Sequence, residues 1–191
     1  MSRKSLFLLI PFLVLLALPV WAAPQVPAPP VPVRYVNDLA GMLEPGAAAE
    51  MEAVARALQR ATGAELALVT VNDLDGYPIE DYALELFRRW GLGDKKENTG
   101  LLLLVNKENA LSGQRGRVRI EVGYGLEGTI PDGKAGRILD EYVLPFWSQK
   151  DYSQGIYQGF MALGALVAGA YEIDLQSTEG LQSLADYQQN T

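Results

Sequence analysis

An α/β fold follows from three features of the sequence. Glu65–Val71 and Gly100–Val105 are nearly unbroken apolar runs of strand length, the pattern of strands buried on both sides. Between them Ile79, Ala83, Leu86, Phe87 and Trp90 recur at helical spacing, with Gly91 as the stop. Further on, Val118, Ile120 and Val122 alternate with Arg119 and Glu121 as a half-buried strand does, and a Gly-rich turn leads from them into another helical pattern. The order helix, strand, helix, strand, strand, helix, helix predicts a three-layer α/β/α sandwich, a small mixed sheet with helices on both faces. The two apolar strands joined through a helix should be parallel, and the third should run against them.

At the N-terminus Arg3 and Lys4 precede the apolar run Leu6–Val20, and Val20-Trp21-Ala22 offers small residues where a signal peptidase reads. Residues 1–22 therefore read as an export signal cleaved after Ala22, the alternative being an uncleaved anchor. Either way the remainder is expected outside the cytoplasm, periplasmic or extracellular. Residues 23–32 are rich in proline and read as an extended tether to a domain spanning 33–174. In Val36-Asn37-Asp38-Leu39-Ala40-Gly41, Asn37 and Asp38 suit a turn in which side chains bond their own backbone.

Pro45 opens a helix through Ala61, with Met51, Val54, Ala55 and Leu58 on one face and Gly63 beyond its end. A polar loop, residues 92–99, carries Asp94, Lys95, Lys96, Glu97 and Asn98 into the second apolar strand. Residues 106–116 are polar and contain glycine, which predicts a hairpin-like connection. The helix after the Gly-rich turn presents Ala135, Ile138, Leu139, Tyr142 and Val143 together and should close at Pro145. Asp151-x-x-Gln154 suits an N-cap for a last helix whose apolar stretch, residues 160–171, falls short of the ~20 residues a membrane span needs. It reads as a packed core helix, and residues 175–191 as a polar tail, disordered or weakly helical.

Composition removes several kinds of chemistry. The 191 residues include no cysteine and no histidine, so disulfides, thiolate nucleophiles, Ser-His-Asp triads and His-ligated zinc are excluded. Carboxylates, amides, hydroxyls, Lys and Arg remain, a set suited to hard cations. The formal net charge of −7 argues against nucleic acid and anionic lipid and favours cations or basic surfaces as partners.

The turn Gly123-Tyr124-Gly125-Leu126-Glu127-Gly128 holds three glycines, which permit positive φ or close approach of a ligand, while Glu127 and Asp132 set carboxylates at its mouth. Thr129 and Asp132 also fit a capping box, so Asp132 reads equally as cap or ligand. The letters match the dinucleotide fingerprint, yet no strand follows to carry the ribose-binding acid, and no nucleotide cofactor is expected. Asp73-Leu74-Asp75-Gly76 is similar to the nucleophile motif of haloacid-dehalogenase-type phosphatases, but Tyr77 stands where that motif has Thr, and the stretch reads as an acidic turn.

Taken together, Val36-Asn37-Asp38-x-Ala40-Gly41, Trp90-Gly91-Leu92-Gly93-Asp94-Lys95, Asn98-x-Gly100-Leu101-Leu102-Leu103, Gly123-x-Gly125-Leu126-Glu127-Gly128 with Asp132, and Pro145 followed by Asp151-Tyr152 resemble the TPM domain family, found in exported bacterial proteins and in a thylakoid-lumen protein of photosystem II repair. The resemblance implies a three-layer α/β domain and divalent cation binding at loop carboxylates. By position it points to Asp38, Asp94, Asn98, Glu127 and Asp132 as metal ligands, with calcium favoured and magnesium as the alternative. The expected role is an adaptor or quality-control module near the membrane, its partner a membrane or envelope protein. The alternative is a metal-assisted acid phosphatase in which Arg137 helps hold the phosphate, with no catalytic residue assigned.

Overall fold

The computed structural model describes residues 23–188, so the expected export signal at 1–22 lies outside the described residues. Four strands form one sheet in the order β1 (Val36–Asp38), β2 (Glu65–Val71), β3 (Gly100–Asn106), β4 (Val118–Val122). β2 and β3 are parallel and β4 is antiparallel to β3, as the sequence predicts, and β1 adds a third parallel strand beside β2. β2 and β3 are almost wholly buried because both of their faces are covered.

On one face lie α1 (Pro45–Thr62), a helical stretch from Asp132 to Ser148, and α6 (Tyr152–Ala170), packed on Leu66, Leu68, Leu101, Leu103 and Ile120. On the other face α2 (Ile79–Trp90) packs Ile79, Ala83 and Leu86 on Ala67, Val69, Leu102 and Leu104. The β1–α1–β2 and β2–α2–β3 crossovers step the same way across the sheet but on opposite faces. They are therefore of opposite hand, and one departs from the right-handed rule. The strand order has no reversal, so the sheet lacks the switch point at which ligands enter doubly wound folds at the carboxyl ends of strands.

The structure differs from expectation in four respects. Val36–Asp38, read as a turn, is a short edge strand, too brief to show alternation; the Glu52 carboxylate of α1 accepts the Tyr35 and Val36 N–H groups at 2.9 and 2.8 Å. Within 106–116, α3 (Lys107–Ser112) replaces the hairpin-like connection; it buries only Ala110, so it has no apolar period, and it stops at Gly113, whose φ is 70°. The helix expected to end at Pro145 continues as α4 (Asp132–Ile138), a π-helical turn (Leu139–Val143) and α5 (Leu144–Ser148). Leu144 N–H reaches back five residues to the Leu139 carbonyl, and this wider turn accommodates the proline ring that a regular helix excludes.

The fourth difference concerns both ends of the domain. Val26, in the expected tether, is buried against α2, and the Trp90 indole donates to the Pro27 carbonyl at 2.9 Å. The tail, expected to be disordered or weakly helical, buries Leu175, Leu181 and Leu184, and the short helix α7 (Ala185–Gln188) agrees with the second expectation. Asp151 caps α6 through the Gln154 N–H at 3.2 Å, as its spacing predicts. No helix among the described residues is long and apolar enough to cross a membrane.

Candidate functional site

The carboxyl edge of the parallel strands, the usual ligand side, is closed by Asp38. Its Oδ1 accepts from Met42 N–H at 2.9 Å and from the Thr70 hydroxyl at 2.5 Å, and its Oδ2 accepts from Leu43 N–H at 2.9 Å. Thr70 Oγ1 in turn accepts the Ala40 N–H at 3.0 Å, and Lys107 Nζ donates to the Ala40 carbonyl at 2.6 Å. Asp38 thereby ties the turn after β1 to the end of β2.

Asp94 and Asn98 lie at the opposite edge, in the loop that leads into β3. Asp94 Oδ1 accepts the N–H groups of Lys96 and Glu97 at 2.8 and 3.0 Å. These two bonds, that from Glu97 first, hold the exposed Asp94 carboxyl below its ordinary value. Asn98 closes the loop by donating its N–H to the Asp94 carbonyl at 2.7 Å and adopts φ 51°, a left-handed conformation that asparagine tolerates.

The Gly-rich turn is interlocked with this loop. Gly125 N–H donates to the Asn98 carbonyl at 3.1 Å and Gly123 N–H to the Gly100 carbonyl at 2.8 Å. A Cβ at Gly125 would collide with the Glu97 carbonyl, and one at Gly123 with the Asn98 carbonyl. So what requires glycine at 123 and 125 is not positive φ but the contact of two backbone segments. At Gly128 a Cβ would meet nothing.

A cleft of about 640 Å³ opens beside the interlock, lined by Glu65, Asp94, Lys95, Glu97, Thr99 and Tyr171 among others. Glu65, at the start of β2, accepts the Gly93 N–H through Oε2 at 2.8 Å, which holds it against the Asp94 loop. Sequence reasoning missed Glu65 and Glu97 as site residues. Glu65 stands in register with Gly100, and only the pairing of β2 with β3 brings it beside the loop.

Glu127 and Asp132 line a separate cleft of about 450 Å³ with Glu121 and Arg119. Asp132 begins α4 without a side-chain capping bond, so the capping box expected from Thr129 and Asp132 is not formed; Pro131 occupies the cap position. The five expected ligands thus fall in three places: Asp38 alone, Asp94 with Asn98, and Glu127 with Asp132. Among the described residues no three carboxylates are grouped tightly enough to hold a metal ion together. The Asp94 cleft nevertheless brings the Glu65, Asp94 and Glu97 carboxylates to one lining, with Lys95 beside them, and carboxylate oxygens are the donors a hard cation takes.

Residues 36–166 match the family described as TPM domain. The chain is similar to the solution structure of an N-terminal domain from P. gingivalis at 36% identity and TM-score 0.65, covering 73% of this chain and 85% of that one. At the level of fold it is also similar to the BA42 protein of Bizionia argentinensis, with 17% identity, TM-score 0.54, and 69% and 85% of the two chains covered. The N-terminal domain of the cg2496 protein of Corynebacterium glutamicum gives 14% identity, TM-score 0.52, and 69% and 78% coverage. No curated protein matches the chain.

Proposed function

This chain belongs to the TPM domain family, and on that premise we propose that it is an exported module that binds a divalent cation, calcium before magnesium, and serves as an adaptor for an envelope or membrane protein. The observation that carries the cation reading is the Asp94 carboxylate. Its Oδ1 is fixed by two loop N–H groups, its ionised form is favoured, and Glu65 and Glu97 line the same cleft.

Calcium suits this donor set because it accepts six to eight oxygens in irregular geometry, whereas magnesium demands a near-ideal octahedron and sheds water reluctantly. With few protein charges and much water in the coordination shell, the affinity belongs to the weak, extracellular range of roughly 10⁻⁴–10⁻³ M. The protein's own residues then have distinct tasks. Asp94 is the fixed anchor, Glu97 contributes from the same loop, and Glu65 braces that loop through Gly93, whereas Asn98 lines a separate hollow with Phe87 and Arg88 and is left out. Asp38 is left out because its oxygens already serve three donors at the other edge.

No observation favours the phosphatase alternative. Arg137 is exposed on α4 and lines neither carboxylate cleft, and among the described residues Lys95 is the one basic side chain lining the Asp94 cleft. A thermal-shift series tests the cation reading: calcium at 10 mM should raise the melting temperature measurably, and magnesium at the same concentration should raise it less. An unchanged melting temperature with both ions would refute it.

A further inference from the structure

The free edge of β4 is an unused element next to the interlocked loops. Gly123 N–H bonds the Gly100 carbonyl and Asn106 N–H the Arg117 carbonyl. With the register Leu103↔Ile120, these bonds make 117, 119, 121 and 123 the residues hydrogen-bonded to β3. Val118, Ile120 and Val122 consequently turn their N–H and C=O groups away from the sheet, and among the described residues no strand lies beyond β4.

Two hollows run beside that edge. The one of about 450 Å³ lies between Arg119–Val122 and the Ile130–Asp132 turn; one of about 330 Å³ lies between Arg117, Val118 and the Gly136–Asp140 part of the α4 stretch. Together they make a groove with an unpaired strand as one wall and a helix as the other. Such a groove takes an extended peptide by strand addition, with main-chain bonds giving affinity and side-chain pockets giving selectivity.

Charge selects the occupant. One end of the groove carries Glu121, Glu127 and Asp132 against Arg119, which is already paired with Glu121 at 3.2 Å. The other end carries Arg115 and Arg117 against Asp140. A strand antiparallel to β4 would begin at the acidic end and finish at the basic one. A second copy of the chain is a poorer occupant, since a five-residue edge buries far less than the ~1,000 Å² expected of a stable interface. We propose that the β4–α4 groove binds an extended protein segment, antiparallel to β4, that is basic at its N-terminal end and acidic at its C-terminal end.

The inference rests on the adaptor half of the proposed function and not on cation binding, so it is tested in EDTA. The full chain is titrated with fluorescein-labelled Lys-Lys-Val-Thr-Val-Thr-Val-Glu-Glu and with the charge-reversed Glu-Glu-Val-Thr-Val-Thr-Val-Lys-Lys, with anisotropy and amide hydrogen exchange as readouts. The first peptide should bind at least tenfold tighter and slow exchange at Val118, Ile120 and Val122. Glu127→Lys combined with Asp132→Lys should abolish that preference. Val118→Pro should weaken both peptides, because it removes an outward N–H without touching the β3 ladder. Equal affinities, protection of other amides, or a concentration-dependent dimer that protects these amides without peptide would each overturn the proposal. If calcium binds and the peptides do not, the docking edge is wrong while the cation reading stands.

Discussion

Asp38 and Asp94 are both loop carboxylates in the sequence, and hydrogen bonding separates their roles. Asp38 offers both oxygens to donors within its own fold, two of them backbone N–H groups that turn the chain toward α1. Charge-assisted bonds of this kind contribute more than neutral ones, and Asp38→Asn should lower stability by about 2 kcal/mol, read as a fall in urea midpoint at constant m-value. Calcium affinity should stay within twofold in that variant. Asp94 spends one oxygen on the backbone and faces a cleft. Because its folded-state pKa lies below the ordinary 3.8, the stability it contributes is present above that pH and is lost as pH falls further. Its full exposure makes that contribution small. In the sequence the two residues look alike; only the donors around them separate the carboxylate with both oxygens engaged from the one that keeps an oxygen open to a cleft.

Among the elements, the interlock of the 93–100 loop with the Gly-rich turn makes a prediction that the letters G-x-G-x-x-G alone do not. Gly123→Ala and Gly125→Ala should each cost about 1–3 kcal/mol, because a methyl group must displace the backbone of the facing loop. Gly128→Ala should change stability by less than about 0.5 kcal/mol, since nothing faces it. Equal effects at the three positions in denaturant unfolding would contradict the interlock. The buried strands β2 and β3, helices α1, α2 and α6, and the direction of β4 were legible because continuous apolar runs and helical spacing report burial directly. What escaped was short or paired at a distance: β1 spans three residues, α3 buries a single side chain, and the tail's buried leucines, Leu175, Leu181 and Leu184, are isolated within a polar stretch. The site was half legible for a related reason. Asp94 and Asn98 share a loop, but the separation of Asp38, Glu127 and Asp132 from them depends on strand order and on which edge each loop occupies.

At the scale of the whole molecule, the tyrosines set an alkaline limit. Burial, followed by a hydrogen bond to Glu50 and its charge, pushes Tyr157 up to about 12, and burial chiefly raises Tyr35, Tyr82, Tyr142 and Tyr187. A raised folded-state pKa gives stability that is intact below 10 and is lost as pH rises through the folded value. Urea midpoints should therefore fall between pH 10 and about 12, and Tyr157→Phe should flatten part of that decline. The sheet has no switch point among the described strands, Asp38 closes its carboxyl edge, and its amino edge opens between β2 and β3, which is where cation binding is proposed, at the Asp94 loop. Calorimetric titration of calcium into the wild-type chain and the Asp94→Asn variant tests that claim most directly. The wild type should give a binding isotherm and the variant at least tenfold weaker binding, because a hard-cation site loses an anionic oxygen. Calcium heats that are absent from the wild type, or identical in the two proteins, would contradict it.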